Sequence, residues 1–75
     1  MSIQILKQHA YPVPDHTYLS LVLAHLPHAA YRPYVVWTFN AQTDTYQRGD
    51  YYPDEATARA GFAQRYRRLC RSYVA

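Results

Sequence analysis

The segment PDEATARAGFAQRYRRLCRSYV, residues 53–74, has the hydrophobic period of an amphipathic helix. Its large apolar residues recur every three or four positions and share one face: Phe62, Tyr66, Leu69 and Tyr73. Pro53, Asp54 and Glu55 are residue types that favour the first turn of a helix. The pattern therefore predicts a long C-terminal helix that packs this stripe against the rest of the domain.

Two runs rich in β-branched and aromatic residues precede this helix, PYVVWTFN at 33–40 and TYQRGDYY at 45–52. The short polar segment between them, at 42–44, predicts a β-hairpin. Side chains alternate between the two faces of a strand, so Val35, Trp37 and Phe39 share a face. We expect this face, together with Tyr51, to form the core under the helix.

The register of the hairpin decides which side chains reach the core. A four-residue turn would place Arg48 and Asp50 on the face of Trp37, whereas a three-residue turn sends both charges outward. We therefore expect the three-residue turn, in which the indole covers a glycine. The facing pairs are then Val35 and Tyr51, Trp37 and Gly49, and Phe39 and Gln47.

The segment HTYLSLVLAHLP fits a helix and a strand equally well by its period. We interpret residues 17–26 as a strand, because three strands under one helix make a more stable small domain than two. Leu19, Leu21 and Leu23 then point to the core. The first ten residues fit a short helix or an added strand. The expected fold is one α+β domain, 1–75 with its core at 17–73, in which a C-terminal helix packs on a three-stranded antiparallel β-meander.

In this arrangement the sheet face away from the helix is rich in tyrosine and valine. It shows Tyr18, Val22, Tyr34, Val36, Tyr46 and Tyr52. Contiguous exposed apolar surface usually marks an interaction site, and a tyrosine ring adds contact area while its hydroxyl stays hydrated. These residues predict a protein contact, most simply a homodimer or else another protein. The alternative is that the N-terminal segment covers part of this face.

The short length of the chain and its single cysteine favour association with a second subunit. A chain of 75 residues buries only about 60% of its unfolded surface, and small domains often gain stability from a second subunit. The single cysteine allows no intrachain disulfide.

The first sixteen residues lack the apolar core of a signal peptide, and no apolar run is long enough to cross a bilayer. We expect a cytoplasmic protein with no membrane partner.

The positive charge is concentrated in the predicted helix. From Ala56 onward there are five arginines and no acid, whereas the preceding segment has three basic and five acidic residues. Arg65, Arg68 and Arg71, together with surface tyrosines, are candidates for nucleic-acid binding, which is the alternative function. The other interpretation is a solvated helix face whose bases complement the helix dipole.

Residues that could support catalysis or metal binding do not form a readable motif. His25 and His28 flank Pro27, which neither a regular strand nor a helix accommodates, and no cysteine stands near them. Three acids cluster at a strand end and a helix start, Asp50, Asp54 and Glu55, but no serine or histidine stands at a recognisable spacing from them. We expect a non-enzymatic protein without a metal or cofactor.

Three short patterns carry a family resemblance: YVVWTFN, then GDYY, then Ala58, Phe62 and Arg65 in the helix. With them the chain resembles a group of very small, uncharacterised bacterial proteins that have a Val-x-Trp strand, a Gly-x-Tyr-aromatic strand and a C-terminal helix. The resemblance covers about half of the chain. It implies the hairpin and helix, and it implies no activity.

Overall fold

The computed structural model describes residues 3–29 and 31–74, without the side chains of Pro14, Tyr73 and Val74. Its elements are β1 (Gln4–Ala10), a 3₁₀ turn (Pro14–His16), β2 (Leu19–His25), β3 (Tyr34–Asn40), β4 (Thr45–Tyr52) and α1 (Glu55–Val74). The strands form an antiparallel sheet in the order β1-β2-β3-β4. The α+β class and the C-terminal helix are confirmed. The described residues contain four strands rather than the expected three.

The additional strand, β1, has no clean alternation in its sequence because it contains a bulge. Ile5 lies opposite Ala24 and Lys7 lies opposite Leu23, which leaves Leu6 as the extra residue. Both Leu6 and Lys7 consequently approach the helix side of the sheet. A bulge breaks the two-residue period, so the pattern of this segment left both a short helix and an added strand open, and the structure shows the added strand.

The second strand confirms the strand interpretation of the ambiguous segment. Leu21, Val22, Leu23 and Ala24 are all buried, because β2 lies inside the sheet, with the helix over one face and larger neighbouring side chains over the other. A strand buried on both faces reads as a continuous apolar run. This is why the period alone did not separate strand from helix.

The core between sheet and helix contains Leu21, Leu23, Val36, Ala58 and Phe62. Helix residues Phe62, Tyr66 and Leu69 pack on it as expected, whereas the side chain of Tyr73 lies outside the described residues. On β3, Val36 and Tyr34 therefore face α1.

The expected orientation of β3 was wrong. Val35, with Trp37 and Phe39 beside it, belongs to a second cluster on the opposite face, around Val22 and Ala24. Directly paired residues share a face, and Val22 is paired with Trp37. Because both faces of β3 are apolar, the hydrophobic pattern could not decide which one packs against the helix.

The hairpin combines the two registers that were weighed from the sequence. Val35 lies opposite Tyr51 as expected, but Phe39 lies opposite Tyr46 instead of Gln47. The turn has four residues, 41–44, and a bulge then places two residues of β4, 48 and 49, opposite Trp37. The register shifts by one residue at this bulge, so each prediction holds on one side of it.

Candidate functional site

The sheet face opposite α1 is covered by no α-helix or second sheet among the described residues. At its centre Val22, Ala24 and Val35 are buried by their larger neighbours. These neighbours remain partly exposed, and together they define the open face: Ile5, Leu26, Trp37, Phe39, Tyr46 and Tyr51.

An aromatic cluster occupies one half of the open face. Trp37 stacks on Tyr46, with 4.3 Å between ring centroids, and meets Tyr51 edge-on at 6.5 Å. Phe39 packs against Tyr46 at 5.0 Å. Tyr46 and Tyr51 are 38% and 47% exposed, so their rings present apolar area to solvent. Clustered aromatic rings of this kind are the side chains that dominate protein interfaces.

No strand places a charged side chain on the open face. The strands contain three charged residues, Lys7, Arg48 and Asp50, and all three lie on the helix side. The Nζ atom of Lys7 lies 5.3 Å from the centroid of the Phe62 ring, and Asp50 pairs with Arg65. Arg48 lines a cleft beside α1. The solvent face of an antiparallel sheet usually carries its charged side chains, whereas here they lie on the helix side, around the core.

The two edges of the sheet have a different character from its open face. The edge strands β1 and β4 each contain a bulge, at Leu6 in β1 and at Arg48 in β4. Each also carries charge, from Lys7 in β1 and from Asp50 in β4. Bulges and charges on edge strands hinder pairing with another strand. The edges are therefore poor surfaces for extending the sheet into a second chain.

Of the six side chains expected on the outer face, the structure places two on the open face. Val22 is buried at its centre, and Tyr46 is half of the stacked pair with Trp37. Tyr18 precedes β2, and its ring lies edge-on to the ring of His16 at 5.8 Å.

The other three members of that set lie against the helix. Tyr34, Val36 and Tyr52 pack in the core with Ala58 and Phe62, and Val36 is fully buried. Their expected exposure was wrong, because the helix covers the face of β3 that was taken to be outward. The same reversal exposes Trp37 and Tyr51, which the sequence interpretation had assigned to the core.

Both interpretations of the helix arginines, nucleic-acid binding and a solvated face, require an exposed Arg65, and for this residue both were wrong. Its guanidinium points to the sheet and donates hydrogen bonds to the carbonyls of Val36 (3.0 Å) and Arg48 (2.6 Å). It also donates to the Asp50 carboxylate (3.1 Å) and the Thr38 hydroxyl (3.2 Å). The side chain is only 18% exposed. These contacts engage Arg65 inside the fold and leave it unsuited to binding a nucleic acid.

The sequence does contain a signal that Arg65 faces the sheet. Ala58, Phe62, Arg65 and Leu69 recur at intervals of four, three and four residues, so Arg65 lies within the buried stripe. An arginine at such a position requires a carboxylate and further acceptors on the facing element. Asp50 is the one acid in the two strands of the hairpin.

Arg68 and Arg71, the remaining candidates for nucleic-acid binding, lie on the exposed surface of α1 together with Arg67. The three arginines and Gln64 line a shallow polar depression.

A second cleft lies beside α1 on the sheet side. Its lining residues are Tyr11, Leu19, Thr38, Gln47, Arg48 and Leu69.

The histidines of the strands pack against aromatic rings. His9 lies edge-on to Phe62 at 5.5 Å and to Tyr66 at 5.1 Å, and His25 lies 4.8 Å from the ring of Tyr34. In the part of the chain that the structure describes, no three His, Cys, Asp or Glu residues are grouped as metal ligands would be. Nor does this part contain a helix long and apolar enough to cross a membrane.

Comparisons of the chain with protein-family models, curated proteins and solved structures give no match in any of the three.

Proposed function

We propose that this chain is a non-enzymatic protein-interaction module that forms a homodimer by stacking the open faces of two copies. One observation carries the proposal: the open face exposes aromatic and aliphatic side chains, while all charged residues of the strands lie on the other side. Such a surface is costly to leave in water, and it is suited to burial against another apolar surface.

A second copy of the chain fits this surface better than a partner of opposite charge. In a two-fold symmetric contact each residue meets the same patch of the partner, so any charge on the patch would lie near an identical charge. The open face avoids this repulsion because the strands contribute no charge to it. It also offers no charge by which an acidic or basic partner could be selected.

The edge strands favour stacking of faces over pairing of edges. A dimer that continued the sheet would have to pair β1 or β4, and both strands are bulged and carry charge. These features disrupt the regular row of backbone groups that edge pairing uses. Face-to-face stacking places the two sheets about 10 Å apart with their side chains interdigitated, and it requires no free edge.

The size of the open face sets the expected affinity. Four strands spaced by about 4.8 Å, three of seven residues and one of eight at about 3.3 Å per residue, give a projected area of roughly 460 Å². Two such faces in contact bury on the order of 900 Å², close to the roughly 1,000 Å² minimum of a specific interface. We therefore expect a dimer of modest affinity that dissociates on dilution.

The experiment is a charge substitution on the open face, read by sedimentation equilibrium. Tyr46→Lys combined with Tyr51→Lys places lysines on both sides of Trp37 and opposes identical lysines across the two-fold axis. We expect wild type to sediment as a dimer at high micromolar concentration and the double variant as a folded monomer. Circular dichroism checks that the variant has folded.

The matched control is Tyr31→Lys, the same substitution at a residue that is 90% exposed and lies outside the strands. The control should dimerise like wild type. A wild-type protein that remains monomeric at this concentration contradicts the proposal. So does a Tyr46→Lys/Tyr51→Lys variant that dimerises as strongly as the control.

A further inference from the structure

The outer surface of α1 carries a cationic stripe formed by Arg67, Arg68 and Arg71. Gln64 lies three and four positions before Arg67 and Arg68, Arg71 lies four and three positions after them, and all four line one shallow depression, so they share a face of the helix. The three arginines extend over about one turn, or roughly 6 Å, along the helix axis, and Gln64 lies about one turn before them. All four side chains are exposed.

Charge balance distinguishes this arginine stripe from the other arginines of the helix. Arg59 pairs with Glu55 at 2.7 Å, and Arg65 pairs with Asp50 at 3.1 Å. Asp54 accepts a hydrogen bond from the backbone at the start of the helix. No acid follows Glu55 in the sequence, and no ion pair involves the stripe among the described residues. The stripe is therefore a concentrated, uncompensated positive surface.

We propose that the arginine stripe binds the phosphate backbone of double-stranded nucleic acid without recognising its bases. Arginine forms bidentate, charge-assisted hydrogen bonds with phosphate oxygens. A duplex supplies one negative charge about every 1.7 Å along its axis, so several phosphates lie within the length of the stripe. Gln64 adds an uncharged amide of the kind that also contacts phosphates.

The surroundings of the stripe favour a duplex over a single strand or a membrane. Single-strand binding relies on aromatic rings that stack on bases, and none of the residues lining this depression is aromatic. Insertion into a membrane surface requires a free apolar face beside the basic one. The apolar side of α1 is already occupied, because Phe62, Tyr66 and Leu69 pack on the sheet.

This inference is independent of dimerisation. The stripe lies on the helix surface that faces away from the sheet, whereas the open face lies on the far side of the sheet. Stacking two open faces would leave both stripes accessible. Either proposal can therefore fail without the other.

The test is fluorescence anisotropy with a labelled random-sequence duplex of about 20 base pairs, titrated at several salt concentrations. We expect the logarithm of the association constant to fall with the logarithm of salt concentration with a slope of about −2.7, for three phosphate contacts. Arg68→Gln should reduce the slope to about −1.8. The triple variant Arg67→Gln/Arg68→Gln/Arg71→Gln should abolish binding.

Arg32→Gln is the matched control, since it removes the same charge from an exposed loop residue. It should bind as wild type does. The proposal is overturned if wild type does not bind the duplex at low salt, or if Arg32→Gln weakens binding as much as Arg68→Gln. It is also overturned if a single-stranded oligonucleotide or a vesicle with anionic lipids binds in preference to the duplex.

Discussion

The Arg65 guanidinium of α1 donates a hydrogen bond of 2.6 Å to the backbone carbonyl of Arg48, at the bulge of β4. Arg48 has a left-handed backbone conformation with φ of 57°, as the extra residue of a bulge often does. The same guanidinium nitrogen also binds the carbonyl of Val36 and the carboxylate of Asp50. Arg65 thereby donates hydrogen bonds to backbone carbonyls at the bulge of the sheet. Its ion pair also holds the Asp50 carboxylate on the helix side.

Replacing Arg65 with methionine should destabilise the monomer. The substitution leaves two backbone carbonyls and the Thr38 hydroxyl without this donor, at a cost of about 1–3 kcal/mol. Lysine should restore little, because a single ammonium cannot reproduce the planar fork of donors. Urea unfolding measures the loss, with the exposed Arg68→Met as control, which should stay within about 0.5 kcal/mol of wild type. Equal midpoints for both variants would show that the Arg65 contacts are energetically unimportant.

Glycine is required at position 61 because the ring of Tyr52 lies against it, and not because the backbone there has a conformation that favours glycine. A Cβ atom built at Gly61 would lie 2.5 Å from Cζ of Tyr52 and would overlap the hydroxyl, whereas the φ of Gly61 is not positive. Gly61→Ala should therefore destabilise the protein by about 1–3 kcal/mol through overpacking.

The effect of Gly61→Ala should change sign when the ring is removed. In a Tyr52→Val background the space above the helix is free, and alanine should then stabilise the helix by about 0.8–1 kcal/mol relative to glycine. Thermal or urea unfolding of the four proteins in this cycle measures both effects. A destabilisation of the same size in both backgrounds would exclude the Tyr52 contact as the reason for the glycine.

The N-terminus of α1 should contribute to acid sensitivity. The backbone N–H of Thr57 donates to Oδ1 of Asp54 at 2.8 Å, and this bond, with the Thr57 hydroxyl, lowers the pKa of Asp54 from its ordinary value of 3.8. A pKa lowered by folding gives stability that is present above the unfolded value and is lost as the pH falls through the folded value. Asp54→Asn keeps a capping oxygen but does not titrate.

The stability of Asp54→Asn should therefore fall less than that of wild type as the pH is lowered from about 5 to 2. Thermal melts across this range provide the comparison. Parallel losses in the two proteins would show that Asp54 does not contribute to the acid transition.

The two sheet faces should respond differently to the loss of an aromatic ring. Phe62 is 2% exposed between sheet and helix, so Phe62→Ala should cost about 3–5 kcal/mol, which is comparable to the whole stability of so small a domain. Trp37 is only half-buried on the open face, so Trp37→Ala should leave a folded monomer and weaken the dimer. Circular dichroism and sedimentation together distinguish these results. An unfolded Trp37→Ala protein would place the indole in the monomer core.

The helix and the hairpin could be predicted because their patterns are local. The stripe of Phe62, Tyr66 and Leu69 has a helical period, and the polar turn separates two strong strand formers. β1 could not be distinguished from a short helix, because the extra residue Leu6 interrupts its alternation.

The orientation of β3 depends on contacts that the local pattern does not contain. Both of its faces are apolar, and the residues that choose between them are on other elements, namely Leu23 of β2 and Phe62 of α1. The bulge of β4 could not be predicted from the local pattern either. A left-handed residue is usually glycine, but here Arg48 takes that conformation and Gly49 follows it.

The fluorescence of Trp37, measured against protein concentration, tests the proposed interface most directly. Trp37 is the sole tryptophan of the chain and belongs to the open face, so its emission reports on that surface alone. The open-face dimer predicts that the emission maximum shifts to shorter wavelength as the concentration rises, in step with the increase in mass by sedimentation. It also predicts no such shift in the Tyr46→Lys/Tyr51→Lys variant. A mass that doubles while the emission stays constant, or a mass that never increases, would contradict the open face as a dimer interface.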